Sequence, residues 1–424
     1  MAVKKILVLF TNEWDTAEFA SARYAGRYQF IFEGFDLFKF PENAWLMLFD
    51  ARRFIARIVA QFGNARIDGV ISTDEHFGAM IAAIIAQRLG LPGGDADSIL
   101  IAQHKFYARQ RQREIAPEAT PAYSCFPYHI DRSGDIGLPF PFYVKPVKAT
   151  YSILARRVDN FAELKRHLTF GILEKLILEK LIKPFNDLAS DRGLFPIDAH
   201  HLVAEELLEG EQVTVEGFID RGRLTMLGVV DSIMYPGTSA FQRFDYPSHH
   251  PEGVQRRMEA LTEQIVRGFG FNHGFFNVEL FYNLATDRIH LIEVNPRLAY
   301  QFADLREKVD GFNPYEALLD LALGVTPRVS IRAGRYRHAA SFVLRKFGRA
   351  HLRRAPSAAE LHDLRRRHRD ARLMVYVKKG ASLDRELKWL GSYRYAVLNL
   401  GAMDRHGLFD RFNTVSRELA FDFA

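Results

Sequence analysis

Three polar or charged residues alternate along the segment 289-IHLIEVNPRLA-299, and their types suit metal and phosphate binding. Glu293, Asn295 and Arg297 follow an apolar run, and side chains at every second position of a β-strand lie on the same face. Pro296 has no backbone N–H to donate and is expected to end the strand. A hydrophobic core does not need a carboxylate, an amide and a guanidinium in a row. The spacing therefore predicts a site for a metal ion and a polyanion.

A second carboxylate, Glu279, lies in the preceding apolar segment, 276-FNVELFYN-283. Burying it there without a partner would cost several kcal/mol or shift its pKa. If the two segments pair as a hairpin with a turn near 286–287, Glu279 faces Glu293, and two such carboxylates repel each other unless a cation lies between them. Only oxygen donors are present, which favours Mg²⁺ or Mn²⁺ over zinc. The alternative is a buried ion pair between a glutamate and Arg297.

The composition narrows the class of protein. At 424 residues, 48% of them hydrophobic, the chain is expected to fold into several packed subdomains. Its only cysteine, Cys125, excludes a disulfide framework and a zinc ribbon, and fits a cytoplasmic location. Lys4 and Lys5 precede too short an apolar run for a signal peptide, so a buried first strand is expected there. No apolar run approaches the roughly 18 residues of a membrane span, so no membrane partner is expected.

The positive charge is uneven. The net charge is +6, and the stretch 331–372 holds thirteen Arg or Lys residues against three acidic ones. The first interpretation is a solvated helical face, the second is contact with a phosphorylated ligand, and the third is nucleic acid. No nucleic-acid partner is expected, because no RNP, KH or zinc-finger signature accompanies the charge. The sequence also lacks the P-loop, dinucleotide-binding, zincin and hydrolase motifs.

The elements that must position these residues fall into two kinds. Residues 1 to about 100 alternate strand and helix signals, with helices over 51–62 and within 77–93, which predicts a parallel sheet covered by helices. Prolines between 117 and 141 mark a boundary. Helices are then predicted over 161–182 and 254–269, after a basic helix over 105–113, and strands over 142–147, 202–210, 212–220, 223–233, 276–283 and 289–295.

Five features in a fixed order resemble the ATP-grasp superfamily, over roughly residues 65 to 330. They are 70-VISTDEHFGAMIAAIIAQRLGLPG-93, Lys105, 138-LPFPFYVKPVK-148, 203-VAEELLEGEQVTVEGF-218 and the strand pair ending in EVNPR at 293–297. The resemblance implies an α/β fold, α+β in its central part. It places an N-terminal parallel α/β domain at 1–110, an ATP-grasp small lobe at 111–210, a large lobe with the metal site at 211–330 and a basic C-terminal lobe at 331–424.

The resemblance also implies roles for individual residues. Lys105 and Lys145 would neutralise the phosphates of ATP, and Ser152 would add a contact from the loop 147–155, which has no glycine. Glu279, Glu293 and Asn295 would hold Mg²⁺ or Mn²⁺. The adenosine part of ATP would be held by the backbone of Glu206, Leu207 and Leu208, with Glu205 accepting from the adenine amino group and Gln212 accepting from the ribose. Arg297 would hold the transferring phosphate or a substrate carboxylate.

The implied reaction is an ATP-dependent ligation. A carboxylic acid, expected to be an amino acid, would become an acyl phosphate that an amine attacks, releasing ADP and phosphate. The layout resembles the L-amino-acid ligase and carnosine synthase branch more than biotin carboxylase. Arg243 and Arg306 are further candidates for binding the carboxylate. His249 and His250 either assist proton removal from the amine or are surface loop residues.

Two alternatives stay open at this point. One is a nucleotide-binding protein without turnover, and the other is a carboxylating enzyme similar to biotin carboxylase. The expected partners are a small-molecule acid and amine, and a homodimer is compatible with the resemblance.

Overall fold

The computed structural model describes residues 2–63, 66–149, 154–377 and 392–424. Its first region is a small parallel sheet with helices. In chain order its elements are β1 (Lys4–Leu9), α1 (Glu13–Phe19), β2 (Tyr28–Glu33), α2 (Ala51–Gly63), β3 (Gly69–Ile71), α3 (Gly78–Leu89) and α4 (Ala96–Gln103). The strands pair in the order β2-β1-β3, all parallel. Leu7 and Leu9 of β1 are buried in one core with Ile55 and Ile58 of α2. The predicted first strand and parallel sheet are confirmed.

The second region is a four-stranded antiparallel sheet with helices. Its elements are α5 (Lys105–Ile115), β4 (Tyr123–Pro127), β5 (Phe142–Pro146), β6 (Arg156–Val158), α6 (Phe161–His167), α7 (Ile172–Ser190) and β7 (His201–Glu205). The strand order is β4-β7-β5-β6. The prediction of one helix over 161–182 is wrong, because a new helix begins after Gly171, whose N–H donates to the Glu174 carboxylate (2.8 Å). Strand β7 ends at Glu205, so residues 206–210 form a connection rather than a strand.

The third region is built on an eight-stranded sheet. Its elements are β8 (Glu211–Asp220), β9 (Arg223–Met234), β10 (Phe241–Tyr246), α8 (Glu252–Gly268), β11 (Gly274–Asn283), β12 (Arg288–Asn295), α9 (Tyr300–Asp310), α10 (Pro314–Ala322), β13 (His338–Lys346), β14 (Leu352–Arg354), α11 (Ala358–Arg367), β15 (Arg372–Val375), β16 (Tyr393–Ala402), α12 (Arg405–Glu418) and β17 (Asp422–Phe423). The order is β12-β11-β8-β9-β10-β13-β16-β15, with every pair antiparallel. Because β10 pairs with β13, the predicted boundary between 330 and 331 falls between neighbouring strands of one sheet.

The two faces of this sheet have different neighbours. On one face, Val213, Val278 and Leu280 pack in a core with Met258 and Ile265 of α8. The other face carries Glu279 on β11, and farther along the sheet it is covered by α9. We call these the helix-α8 face and the glutamate face.

Two sequence-based expectations concern charge and membranes. The side chains of Arg365, Arg366 and Arg367 in α11 are exposed, which agrees with the first interpretation of the basic stretch. Among the described helices, none combines the length and the apolar character that crossing a bilayer requires.

Candidate active site

The two glutamates of the β11–β12 hairpin lie directly opposite each other. Glu279 is the register partner of Glu293, and Asn277 is the partner of Asn295, as the alternating pattern predicts. The register shifts just after Glu279, so that Leu291 still pairs with Leu280 on the helix-α8 face. The amide Nδ2 of Asn295 donates to Glu279 Oε1 (3.1 Å) and to Asn277 Oδ1 (2.9 Å). One face of the hairpin therefore carries two carboxylates and two amides in contact.

The environment drives the pKa values of the two glutamates apart. Burial, with the nearby charges of Glu293 and Glu75, raises the pKa of Glu279 to about 8. Burial alone would also raise the pKa of Glu293, but the ammonium groups of Lys105 and Lys145 outweigh it and hold that pKa below its usual value. Two carboxylates this close ionise together only when a cation compensates them. The two carboxylates and the Asn295 amide form an oxygen-donor set, and this set fits Mg²⁺.

Three lysines surround this pair. Lys145 on β5 places Nζ 2.9 Å from Glu205 Oε2, and Lys105 at the start of α5 places Nζ 3.4 Å from Glu293 Oε2. Lys148 is buried, and its Nζ donates to the carbonyl of Glu75 (3.4 Å). Burial lowers the pKa of Lys145, and it lowers the pKa of Lys148 to about 7.

Sequence reasoning misses Lys148. The signal is the second lysine of 145-KPVK-148, but strand alternation would send positions 145 and 148 to opposite faces. Strand β5 ends at Pro146, so the alternation does not continue to position 148.

Glu205 is held by two cations at the end of β7. Arg109 Nε lies 2.7 Å from its Oε1, and Lys145 binds the other oxygen. Burial would raise the pKa of Glu205, but these two charges lower it to about 2. Both carboxylate oxygens thus contact a cation, and the acceptor role toward adenine stays a prediction. Glu205 also positions the ammonium group of Lys145.

Arg109 also contacts β12, and the sequence pattern did not indicate this contact. It donates to the carbonyls of Leu291 (2.9 Å) and Ile292 (2.7 Å), the two residues before Glu293. Its side chain is buried, and it joins α5, β7 and β12. In the sequence, Arg109 is one of several arginines on a basic helix, and nothing local distinguishes it from the others.

The connection 206–210 links the four-stranded sheet to the eight-stranded one. The N–H of Glu206 donates to the carbonyl of Ala122 (2.9 Å). The backbone groups of Leu207 and Leu208 make no hydrogen bond to any residue that the structure describes, so they are open to a ligand. Gln212 directs its amide Nε2 to Glu279 Oε2 (2.9 Å) and therefore lies on the glutamate face.

Arg297 forms an ion pair with Glu75, a residue that sequence reasoning did not select. Its Nε lies 3.1 Å from Glu75 Oε2, and a terminal guanidinium nitrogen contacts the same oxygen. Glu75 comes from the loop between β3 and α3, so this pair connects the first region to the end of β12. The signal for Glu75 was its place in 72-STDEH-76, just after a buried strand.

The structure does not bring Arg243 to this group. Arg243 pairs with Ile233, whereas the next residue, Phe244, pairs with Ser232, which in turn lies opposite Gln212 of the glutamate face. Arg243 is therefore on the helix-α8 face, 3.0 Å from the Asp245 carboxylate and stacked near the Phe409 ring. Arg243 lies away from Glu279 because side chains alternate along β10, and its position directs it to the opposite face of the sheet.

Two further predictions concern Arg306, as a ligand of the substrate carboxylate, and Ser152, as a contact of the phosphates. Arg306 is fully buried against Glu216 (2.8 Å) and the ring of Tyr246 (3.9 Å), so its guanidinium holds α9 to the sheet instead of facing a substrate. Ser152 lies outside the described residues.

The chain is similar to known proteins in sequence and in fold. Residues 138–305 match the sequence model of the ATP-grasp domain family. Over 264 residues the chain is 26% identical to carnosine synthase 1 of Gallus gallus, a match that covers 58% of this chain and 26% of that protein. The chain thus matches only about a quarter of the length of this curated relative.

Solved structures share the fold over nearly the whole chain. The L-amino acid ligase of Bacillus licheniformis superposes with a TM-score of 0.74 at 16% identity, covering 100% of both chains. The carboxyaminoimidazole ribonucleotide synthase of Aspergillus clavatus gives 0.68 at 15% identity and 98% coverage of both. Biotin carboxylase of Campylobacter jejuni gives 0.61 at 14% identity, covering 99% of this chain and 92% of that one. The chain therefore has the fold of these proteins, and its residues 138–305 match the ATP-grasp domain family.

Proposed function

We propose that this protein is an ADP-forming ligase that joins a small carboxylic acid to an amine. The observation that carries the proposal is the opposed pair of Glu279 and Glu293 with cationic side chains around it. Lys105 contacts Glu293, and Lys145 contacts Glu205. Arg297 follows the end of β12, the strand that carries Glu293. A carboxylate and a triphosphate repel each other at contact distance, so such a group of cations is the main requirement of the reaction.

The residues of the site would bind either Mg-ATP or the substrate carboxylate. Glu279, Glu293 and Asn295 would hold Mg²⁺, which supplies charge neutralisation for the phosphate oxygens when bound. Lys105 and Lys145 would bind phosphate oxygens as point charges. Arg297 has the planar fork that binds a phosphate or a carboxylate through two parallel hydrogen bonds. The open backbone groups of Leu207 and Leu208 would bind the adenine edge.

The proposed chemistry passes phosphate directly to the substrate. An oxygen of the acid attacks the γ-phosphorus as the bond to ADP breaks, and the amine then attacks the acyl carbon. Phosphate leaves with the bonding electrons, and the amine loses a proton. Cys125 is not suited to a covalent route, because burial raises the pKa of its thiol to about 12. An amino acid is the proposed acid, since similar proteins are an L-amino acid ligase and a carnosine synthase.

The order of steps gives a direct test. With Mg-ATP and the correct acid but no amine, added hydroxylamine should trap a hydroxamate, and ADP should form in equal amount. A screen of amino acids and other small acids, read by phosphate release, identifies the acid first. Reactions without acid are the control. Formation of AMP and pyrophosphate would place the protein among adenylating enzymes and contradict the proposal.

Lys145→Met should weaken ATP binding by about 1.5–3 kcal/mol, the range for a hydrogen bond to a charged group. Methionine keeps the length of the buried side chain but removes its charge. Calorimetric titration with a non-hydrolysable ATP analogue measures the change. Lys183→Met is the matched control, since Lys183 is half-exposed on α7 and pairs with Asp187 there. Equal dissociation constants for wild type and Lys145→Met would mean that the phosphates bind elsewhere.

A carboxylating activity is the second candidate, favoured by the shared fold with biotin carboxylase. Bicarbonate would then replace the organic acid in the same phosphorylation step. Including bicarbonate in the phosphate-release screen separates the two. ATP binding with no acid-dependent release would favour a nucleotide-binding protein without turnover.

A further inference from the structure

Three side chains of types that can ligate a metal converge on the helix-α8 side of the eight-stranded sheet. Glu211 is the first residue of β8, and His249 and His250 lie in the loop between β10 and α8. Glu211 Oε2 is 3.1 Å from His249 Nε2 and 3.4 Å from His250 Nε2. One donor atom from each residue lies within 4.8 Å of the others, and in the described ranges no second group of three His, Cys, Asp or Glu does so.

The two separations from Glu211 match those between ligands of one small ion. Zinc binds nitrogen and oxygen ligands at about 2.0–2.1 Å in tetrahedral geometry, which places neighbouring ligand atoms about 3.3 Å apart. The set contains two imidazoles and one carboxylate, which suits zinc and late first-row metals rather than Mg²⁺. It is therefore chemically distinct from the all-oxygen set on the glutamate face.

A buried carboxylate orients one of the two imidazoles. Asp231 Oδ2 lies 2.7 Å from His249 Nδ1 and accepts the backbone N–H of the same residue (2.8 Å). Asp231 is only 1% exposed, so its position is fixed by packing. A carboxylate that accepts from Nδ1 leaves Nε2 as the coordinating atom, the usual support of a histidine ligand. Arg405, 4.0 Å from the same oxygen, helps to compensate its charge.

The second imidazole has an unsatisfied ring nitrogen. The side chain of His250 is 4% exposed, and its Nε2, which points at Glu211, has no hydrogen-bond partner within the described residues. A buried polar atom without a partner costs free energy that a bound ion would recover. This orphaned nitrogen is independent of the support that Asp231 gives to His249.

We propose that Glu211, His249 and His250 bind one Zn²⁺ or a similar late first-row ion. The ion would tie the loop 247–251 to the start of β8, with water completing its coordination. Glu211 follows the connection 206–210 and precedes Gln212, which contacts Glu279 on the other face. Binding would therefore hold the start of the strand that carries one wall of the candidate active site.

The test uses tag-free full-length protein that has been treated with a chelator. Calorimetric titration with Zn²⁺ and optical titration with Co²⁺ should each show one ion per chain, with the d–d absorption of tetrahedral Co²⁺. Glu211→Gln should weaken binding on the order of a hundredfold or more, and Asp231→Asn by about 10–100-fold. Glu209→Gln, exposed in the neighbouring connection, is the control that should bind as wild type.

A further variant excludes ions that bind at the pair of Glu279 and Glu293. The titrations are repeated in Glu293→Gln protein, in which the site proposed here should still bind one ion. The proposal is overturned if this protein shows no saturable binding of Zn²⁺ or Co²⁺. Binding that is the same in the Glu293→Gln and the Glu293→Gln/Glu211→Gln proteins would overturn it too, because the ion would then sit elsewhere.

Discussion

Glu293→Gln is expected to lower ATP turnover by at least about a hundredfold with little effect on folding. Glutamine keeps the shape of the side chain but replaces the carboxylate by a neutral amide, a poor ligand for Mg²⁺. Changes to groups that only support a metal ligand already cost about 10–100-fold, so the loss of a ligand should cost more. Glutamine is the same size as glutamate and the side chain is 29% exposed, so we expect neither a cavity nor a clash. Steady-state ADP release in the presence of the acid measures the effect.

Two comparisons make this result interpretable. Melting curves should show a similar melting temperature for Glu293→Gln and wild type, which separates lost chemistry from lost folding. Glu252→Gln makes the same change at an exposed residue of α8 and should retain full turnover. Near wild-type turnover in Glu293→Gln would exclude this residue as a metal ligand.

Arg109→Met is expected to lower the free energy of unfolding by about 3–5 kcal/mol, the cost of removing one partner from a buried ion pair. Arg109 is 1% exposed, and it bonds Glu205, Gln112 and the carbonyls of Leu291 and Ile292. Methionine fills most of the volume but offers none of these donors. Glu205 would keep only Lys145, and the carbonyl oxygens would lose their partner.

Denaturant unfolding measures this change, and Arg111→Met is the matched control. Arg111 lies on the same helix with a half-exposed side chain, and surface ion pairs contribute about 0–1 kcal/mol. The double variant Arg109→Met/Glu205→Gln should recover part of the loss if the unpaired carboxylate causes it. If both Arg109→Met and Arg111→Met lowered the free energy of unfolding equally, the buried contacts of Arg109 would stabilise the protein no more than a surface ion pair does.

The glutamate hairpin was predictable because its signals are local. Alternation along 276–283 and 289–295, with a turn between them, determines which residues share a face, and the register places Glu279 opposite Glu293. The first strand and the parallel sheet follow from equally local patterns. The connection 206–210 lies within the segment 203–218 that the resemblance assigns to the adenine hinge, and its binding of adenine stays a prediction; β7 stops before it.

The other site residues depend on tertiary packing. Glu75 meets Arg297, and Arg109 meets Glu205, across long separations in the chain that no local pattern encodes. The position of Arg243 could not be predicted for a different reason. Strand alternation predicts that Arg243 and Asp245 lie on the same face of the sheet, but it does not predict which face carries the site. Both faces of this sheet are covered, so amphipathic patterning cannot distinguish them. The break before α7 was missed because apolar spacing on both sides of Gly171 reads as one helix.

The pairing of β10 with β13 has a consequence for how the chain folds. Tyr246 lies opposite Ala339, so α8, the hairpin β11–β12 and helices α9 and α10 all lie within the loop that this pairing closes. Contacts so distant in sequence form late, because the entropy of closing the loop must be overcome first. Until they form, β10 is an open edge that bears Phe244 and Tyr246, and such an edge can pair with another molecule. By pairing with β10, the C-terminal strand β13 covers an edge to which another molecule could otherwise bind.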